Sequence, residues 1–142
     1  MPTLTLPQKL QMKPNTKALV LNAPEGWSMP VLPDGVNVFT SASEPAYDFV
    51  LLFCTHQADI DTHALKAISH VKPEGGLWFA YPKAGKLNTN INRDRGWAAV
   101  TQAGWDGVRQ VSIDDTWSAL RFRPVEAINY TPSSTRNPKN KS

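Results

Sequence analysis

Apolar and polar positions alternate along this chain in a way that predicts most of its elements. Leu19, Val20 and Leu21 form a continuous apolar run, the pattern of a strand buried on both faces. A turn signal at Asp34-Gly35 leads into a second strand over Val36–Thr40. The run "DFVLLFC", Asp48–Cys54, is apolar between polar flanks and reads as a central strand. Ile60, Ala64, Leu65, Ile68 and Val71 then recur at helical spacing, which predicts a helix over Asp59–Val71. Asp59 and Asp61 fall in its first turn, where the helix dipole favours negative charge. The following "KPEGG" reads as its stop. Leu77–Tyr81 returns to strand character, and a shorter helix is predicted near Arg93–Ala103, ending at Gly104. Val108–Ile113 and Ser118–Phe122, joined through "DDTW", read as a hairpin. At the start, Gln8–Met12 could hold one further short helix, with Pro7 near its beginning.

Strands alternating with helices imply an α/β fold: a Rossmann-like, mostly parallel sheet of about six strands, with helices on both faces and an antiparallel C-terminal hairpin at one side. The connector "APEGWSMPVLPDG" holds Pro24, Pro30 and Pro33, so it has room for only a turn or two of helix. Domain organisation follows: one domain over residues 1–124, and a tail over residues 125–142 with no apolar periodicity, read as disordered. At 142 residues, a single domain buries roughly 68–70% of its unfolded surface.

Composition narrows the class. Apolar residues at 41% and five Trp fit a packed core. The net charge is +3. The tail carries Arg136, Lys139 and Lys141 against Glu126, which leaves the body nearly neutral. A neutral body argues against nucleic acid as a partner. Cys54 is the single cysteine, so no intrachain disulfide forms, and a reducing compartment is expected. No apolar run is long enough to cross a membrane, and "MPTLTLPQKL" lacks a signal-peptide core, so the expected location is cytoplasmic.

Three stretches carry a family likeness. "YDFVLLF" resembles the fourth strand of the class I S-adenosylmethionine methyltransferases. "ALKAISHVKPEGGLWFAYPK" looks like their helix, Lys-Pro-Gly-Gly turn and fifth strand, with Glu74 inserted. "VRQVSIDDTWSALRFRP" looks like their final hairpin. The chain as a whole is similar to small uncharacterised bacterial methyltransferase-like proteins, described as domains of unknown function. The likeness spans roughly residues 10 to 124 and implies a reduced form of that fold.

The family pattern also has departures here. In the methyltransferases the first strand runs into an acidic residue and a Gly-x-Gly-x-Gly loop that lets backbone N–H groups approach S-adenosylmethionine. Here the position reads "NAPEG", with one glycine and a proline that has no N–H. The family's second strand ends in a carboxylate that holds the ribose hydroxyls; this one ends "VFTSAS". Only "SASEPAY" separates it from the next strand, so the family's third strand and the helix before it are absent. These departures point to no cofactor, with S-adenosylmethionine as the alternative.

In open α/β sheets, ligands bind beyond the carboxyl ends of the strands. That rule gathers Asn22, Glu25 and Trp27 from strand one, Thr40 and Ser41 from strand two, and Cys54, Thr55 and His56 from the next. It adds Tyr81, Lys83 and Lys86, then Asp114, Asp115 and Trp117 from the hairpin. His56 and Glu25 are the candidate catalytic acid–base pair. Asn22, Trp27, Thr55, Lys83 and Asp115 are the candidate ligand rim. The bland reading is that any such rim is polar because its loops meet water.

Other features invite chemistry less. His56, His63 and His70 fall seven apart, but His63 and His70 lie about 10 Å apart along a helix, too far for one metal. No metal site is expected. A Cys54–His56 nucleophile competes with the reading of Cys54 as a small buried hydrophobe. Asn92 or Asp94 would cap the helix near Arg93; Lys83, Lys86, Arg93 and Arg95 would alternatively bind a phosphate there. Trp27, Trp97 and Trp105, each after a glycine, read as core caps. The expected function is a small ligand- or partner-binding module that has lost the usual cofactor loop. The alternatives are a methyltransferase with an atypical site, or an acid–base enzyme centred on His56 and Glu25.

Overall fold

A computed structural model describes residues 5–27, 32–41, 43–83, 86–92 and 95–125, apart from the side chains at 73 and 74. The proposed tail over 125–142 lies outside these residues except for Val125. In chain order the elements are α1 (Leu6–Lys9), β1 (Lys17–Leu21), β2 (Asn37–Phe39), β3 (Tyr47–Phe53), α2 (Gln57–His70), β4 (Val71–Pro82), α3 (Ala98–Gln102), β5 (Trp105–Ser112) and β6 (Trp117–Pro124).

The described strands form one sheet in the order β2-β1-β3-β4-β6-β5. β2, β1, β3 and β4 pair in parallel, and β6 is antiparallel to both β4 and β5. The hairpin therefore lies at one side of the sheet, as expected, with its antiparallel strand β6 on the inside and β5 at the edge.

Alternation along the strands sends side chains to two cores. Leu19, Leu21, Val50, Leu52, Leu77, Phe79, Leu120 and Phe122 face one side, against Ile60, Ala64 and Ala67 of α2 and Val100 of α3. Trp97 is the hub of this core: its ring meets Phe79, Tyr81 and Phe122 at centroid distances of 5.7, 5.5 and 5.1 Å. Ala18, Val20, Phe49, Leu51, Phe53, Trp78, Ala80 and Ala119 face the other side, covered by Leu10, Met12 and Trp117, with Leu6 and Trp27 packed alongside. α1 is a single turn, started by a capping box between Thr5 and Gln8, so the second face is covered more by loops than by helix.

β4 and β5 begin earlier than expected, at Val71 and Trp105, α2 begins at Gln57, and three further boundaries differ for a physical reason. α2 ends at His70, before "KPEGG", and Val71 is already extended. Those glycines serve β4 instead. A Cβ on Gly75 would lie 2.7 Å from the carbonyl oxygen of Asp48, where the β3–β4 register shifts between Tyr47 and Phe49. α3 is five residues long and begins at Ala98, with Trp97 rather than Asn92 at its N-cap position; Asp94 lies outside the described residues. Trp97 is drawn into the core, which delays the start. α1 covers Leu6–Lys9 rather than Gln8–Met12 because Thr5 supplies the cap.

Candidate ligand rim at the carboxyl ends of the strands

The strand register places the candidate residues at one end of the sheet. Leu21 pairs with Leu52, Phe53 with Ala80, Pro82 with Trp117, and Ser112 with Ser118. The segments that follow β1, β3, β4 and β5 therefore leave the sheet on the same side.

After β1 the chain turns sharply. Asn22 is exposed in the left-handed region at φ 58°, and Gly26 is at φ 80°. The Trp27 amide donates to the Pro24 carbonyl at 3.0 Å and closes the turn. Trp27 then lies edge-on to Phe53 at 4.9 Å, and Phe53 lies edge-on to Trp117 at 5.0 Å. This aromatic row, half-buried at Trp27 and buried at Phe53 and Trp117, pins the turn to the second core. Trp97 and Trp105 are buried in the first core, which fits their reading as core caps. Glu25 is exposed and makes no hydrogen bond or ion pair among the described residues.

After β3, the Asp59 carboxylate accepts from the backbone N–H groups of Thr55 and His56 at 2.9 and 3.1 Å. The Gln57 N–H donates to Asn90 Oδ1 at 2.8 Å. These donors at the start of α2 are thus already satisfied by the chain itself. His56 Nε2 lies 3.0 Å from the carbonyl oxygen of Asn88. A carbonyl only accepts, so Nε2 is the donor in this contact. No hydrogen bond joins His56 to Glu25.

Lys83 is tied to the hairpin: its Nζ donates to Ser112 Oγ at 2.8 Å and its N–H to the Thr116 carbonyl at 2.7 Å. The Asp114 carboxylate accepts from the N–H groups of Thr116 and Trp117, both at 2.8 Å, which leaves Asp115 exposed at the tip. Thr55 is half-buried. The phosphate reading of Lys83, Lys86, Arg93 and Arg95 loses its helix, since α3 starts three residues past Arg95 and is five residues long; Arg93 lies outside the described residues. Cys54 is buried, and burial, then the negative charge of Asp59, pushes its thiol well above the usual range. A thiolate nucleophile beside His56 is incompatible with that environment. Among the described residues, no three His, Cys, Asp or Glu side chains gather as metal ligands would.

The residues at the end of β1 do not fit S-adenosylmethionine as the family holds it. Pro24 offers no N–H, and Gly26 is the single glycine of the turn. A Cβ on Gly26 would meet nothing within 4 Å, so that glycine serves the φ of the turn and not a close approach to a ligand. The end of β2, Phe39-Thr40-Ser41, supplies no carboxylate.

A second concavity, invisible to the rim rule, lies at the amino ends of the strands. It has a volume of about 360 Å³, lined among others by Asn15, Lys17, Glu44, Asp48 and Lys72. Lys17 pairs with Glu44 and Lys72 with Asp48, both at 2.9 Å. Asp48 also accepts from the Lys17 N–H at 3.0 Å. That backbone bond, together with Lys72, holds its carboxyl below the usual carboxylate range. These partners lie 24 to 31 residues apart in sequence, so only the sheet order brings them together.

Comparison with known proteins places the fold. The chain is similar to the crystal structure of the ribosomal protein L11 methylase from Lactobacillus delbrueckii subsp. bulgaricus. The TM-score is 0.52 at 8% identity, over 82% of this chain and 75% of that one. It also aligns with the PH0226 protein from Pyrococcus horikoshii OT3 at a TM-score of 0.48 and 9% identity, over 83% and 89% of the two chains. The fold is methyltransferase-like. No protein-family profile and no curated protein matches the sequence. No described helix is long and apolar enough to cross a membrane.

Proposed function

We propose that the protein is a binding module on a methyltransferase-like fold, without the family's cofactor, and that its carboxyl-end rim receives a small ligand or a protein partner. The turn after β1 carries this reading. It is closed on itself by the Trp27–Pro24 bond, held down by Trp27 on Phe53, and capped by an exposed carboxylate where the fold normally offers backbone N–H groups. Asn22, Glu25 and Asp115 are the open polar groups for recognition. Trp27 supplies a half-buried flat surface, while Thr55 and Lys83 frame the centre.

A second reading rests on His56. The Asn88 carbonyl orients its ring through Nε2, the arrangement a general base requires. In that reading Glu25 is the acid partner.

Amide chemical-shift mapping against a metabolite set tests the first reading. Binding is expected to move the resonances of Asn22–Trp27, Thr55, His56 and Asp115 together, and to weaken in Glu25→Gln. Shifts confined to other parts of the sheet would overturn it. Turnover of any bound compound that His56→Ala abolishes would favour the enzyme.

A further inference from the structure

The outer hairpin carries three arginines on one face. Arg109 stands directly opposite Arg121 in the β5–β6 ladder, and Arg123 follows two residues along β6 on the same side. Like charges directly opposite each other destabilise a strand pair. None of the three makes an ion pair among the described residues. Asp106, opposite Arg123, is the nearest carboxylate on the ladder.

The middle arginine is the most constrained. Arg121 is half-buried, and its Nη1 donates to Gln11 Oε1. Its Nε–H is buried with no acceptor. Burial, then the charges of Arg123 and Arg109, lower its pKa. The β4 residue paired with it is Trp78, which is 0% exposed, and the Trp78 indole N–H is likewise buried with no acceptor. That nitrogen lies 3.5 Å from where a Gly76 Cβ would sit. It therefore points along β4 in the direction that antiparallel β6 takes from Arg121 toward Arg123.

Two residues paired across β4 and β6 thus each carry a buried donor without an acceptor, and the Arg109 and Arg123 side chains beside Arg121 are exposed. Guanidinium and indole groups only donate. Among the described residues the three guanidiniums outnumber the one carboxylate beside them, Asp106, and none is held in an ion pair.

We propose that this face of the hairpin is an oxyanion site for one phosphate-class group, gripped by Arg109, Arg121 and Arg123. Guanidinium forks suit such a group because each can donate two parallel N–H bonds to its oxygens. Arg109 and Arg121 stand opposite each other at cross-strand spacing, within reach of one shared tetrahedral anion for side chains of this length. A nucleic-acid backbone would call for a longer basic stripe, and here the carboxylate of Asp106 stands opposite Arg123. The favoured ligand is therefore a small phosphorylated molecule. The site is distinct from the rim: Arg121 is four residues from Trp117, roughly 14 Å at about 3.4 Å per residue.

Thermal denaturation of the full chain tests this, with inorganic phosphate and pyrophosphate compared to chloride at matched ionic strength. Both phosphates are expected to raise Tm in a concentration-dependent way. Arg109→Gln/Arg123→Gln, which alters only exposed side chains, is expected to lose that response and stay folded by circular dichroism. Arg121→Met is expected to lose the response as well, with a higher Tm in phosphate-free buffer. An equal rise in wild type and the double variant would be a general salt effect and would overturn the site. So would no difference from chloride. A single-stranded oligonucleotide that bound more tightly than pyrophosphate, with a steep salt dependence, would overturn the small-ligand assignment.

Discussion

Replacing Arg121 with Met is expected to stabilise the protein in phosphate-free buffer. The native residue stands opposite Trp78 in the β4–β6 ladder, with its Nε–H buried and unpaired. A buried donor left without an acceptor costs about 1–3 kcal/mol. The bond from Nη1 to the exposed Gln11 returns about 0.5–1.5 kcal/mol, since water competes for both groups. Repulsion from Arg109 and Arg123 is screened by solvent and adds about a few tenths of a kcal/mol. Met keeps an unbranched apolar stem of similar path and drops the charge. The balance favours the variant by about 1 kcal/mol, or about 3–5 °C in Tm for a domain of this size. Urea denaturation gives the direct measure, with the midpoint raised and the slope m unchanged. A loss of about 1 kcal/mol or more would refute the reasoning. It would mean that the guanidinium makes net favourable native bonds and that the charged cluster is structural.

Other consequences are open to simple assays. Because Asp48 has a depressed pKa in the folded state, it contributes stability above the ordinary carboxylate pKa of about 3.9, lost as pH falls through the lower folded value. Asp48→Asn should cost about 1 kcal/mol at neutral pH and flatten the acid limb of a stability–pH curve; an unchanged acid limb would count against the assignment. Gly35 is at φ 75°, and a Cβ there would lie 2.1 Å from Asn15 Oδ1 and 3.2 Å from Asn15 Cα. Gly35→Ala should therefore destabilise by more than the roughly 1–2 kcal/mol of left-handed strain alone, and Gly26→Ala, with open space, by about that strain only. Equal losses in chemical denaturation would contradict the steric account. The Cys54 thiol should resist alkylation in the native state at pH 8 and react after denaturation; rapid native labelling would show that the carboxyl end of β3 opens readily.

The sequence reveals the parts of the fold that depend on local pattern. The run ending at Cys54 is a strand because every residue from Phe49 to Phe53 is buried. The α2 stripe holds in part: Ile60 and Ala64 are buried and Ile68 packs against them, but Leu65 is 62% exposed and Ala67 takes the inward place. Glycine was the ambiguous letter. Gly75 suggests a helix stop, but its reason is the approach of the Asp48 carbonyl, a contact that appears only once β3 and β4 are paired. Trp97 likewise belongs to the core before it belongs to a helix.

The candidate rim was legible as a place and less so as a constellation. The carboxyl-end rule gathers Asn22, Glu25, Trp27, Thr55, His56, Lys83 and Asp115 at one end of the sheet. It cannot foretell that Lys83 is tied to Ser112, or that Asn88 orients His56. The arginine face was hidden for a related reason. Arg109 and Arg121 are twelve positions apart, and only the bulged register between Gly107 and Arg109 sets them opposite each other.

The central claim is that a methyltransferase-like sheet here carries a rim without the family's cofactor. Calorimetric titration of the full chain with S-adenosylmethionine tests it most directly. The turn at Asn22–Trp27 predicts no saturable heat up to about 1 mM ligand. Saturable one-to-one binding at micromolar strength would contradict it.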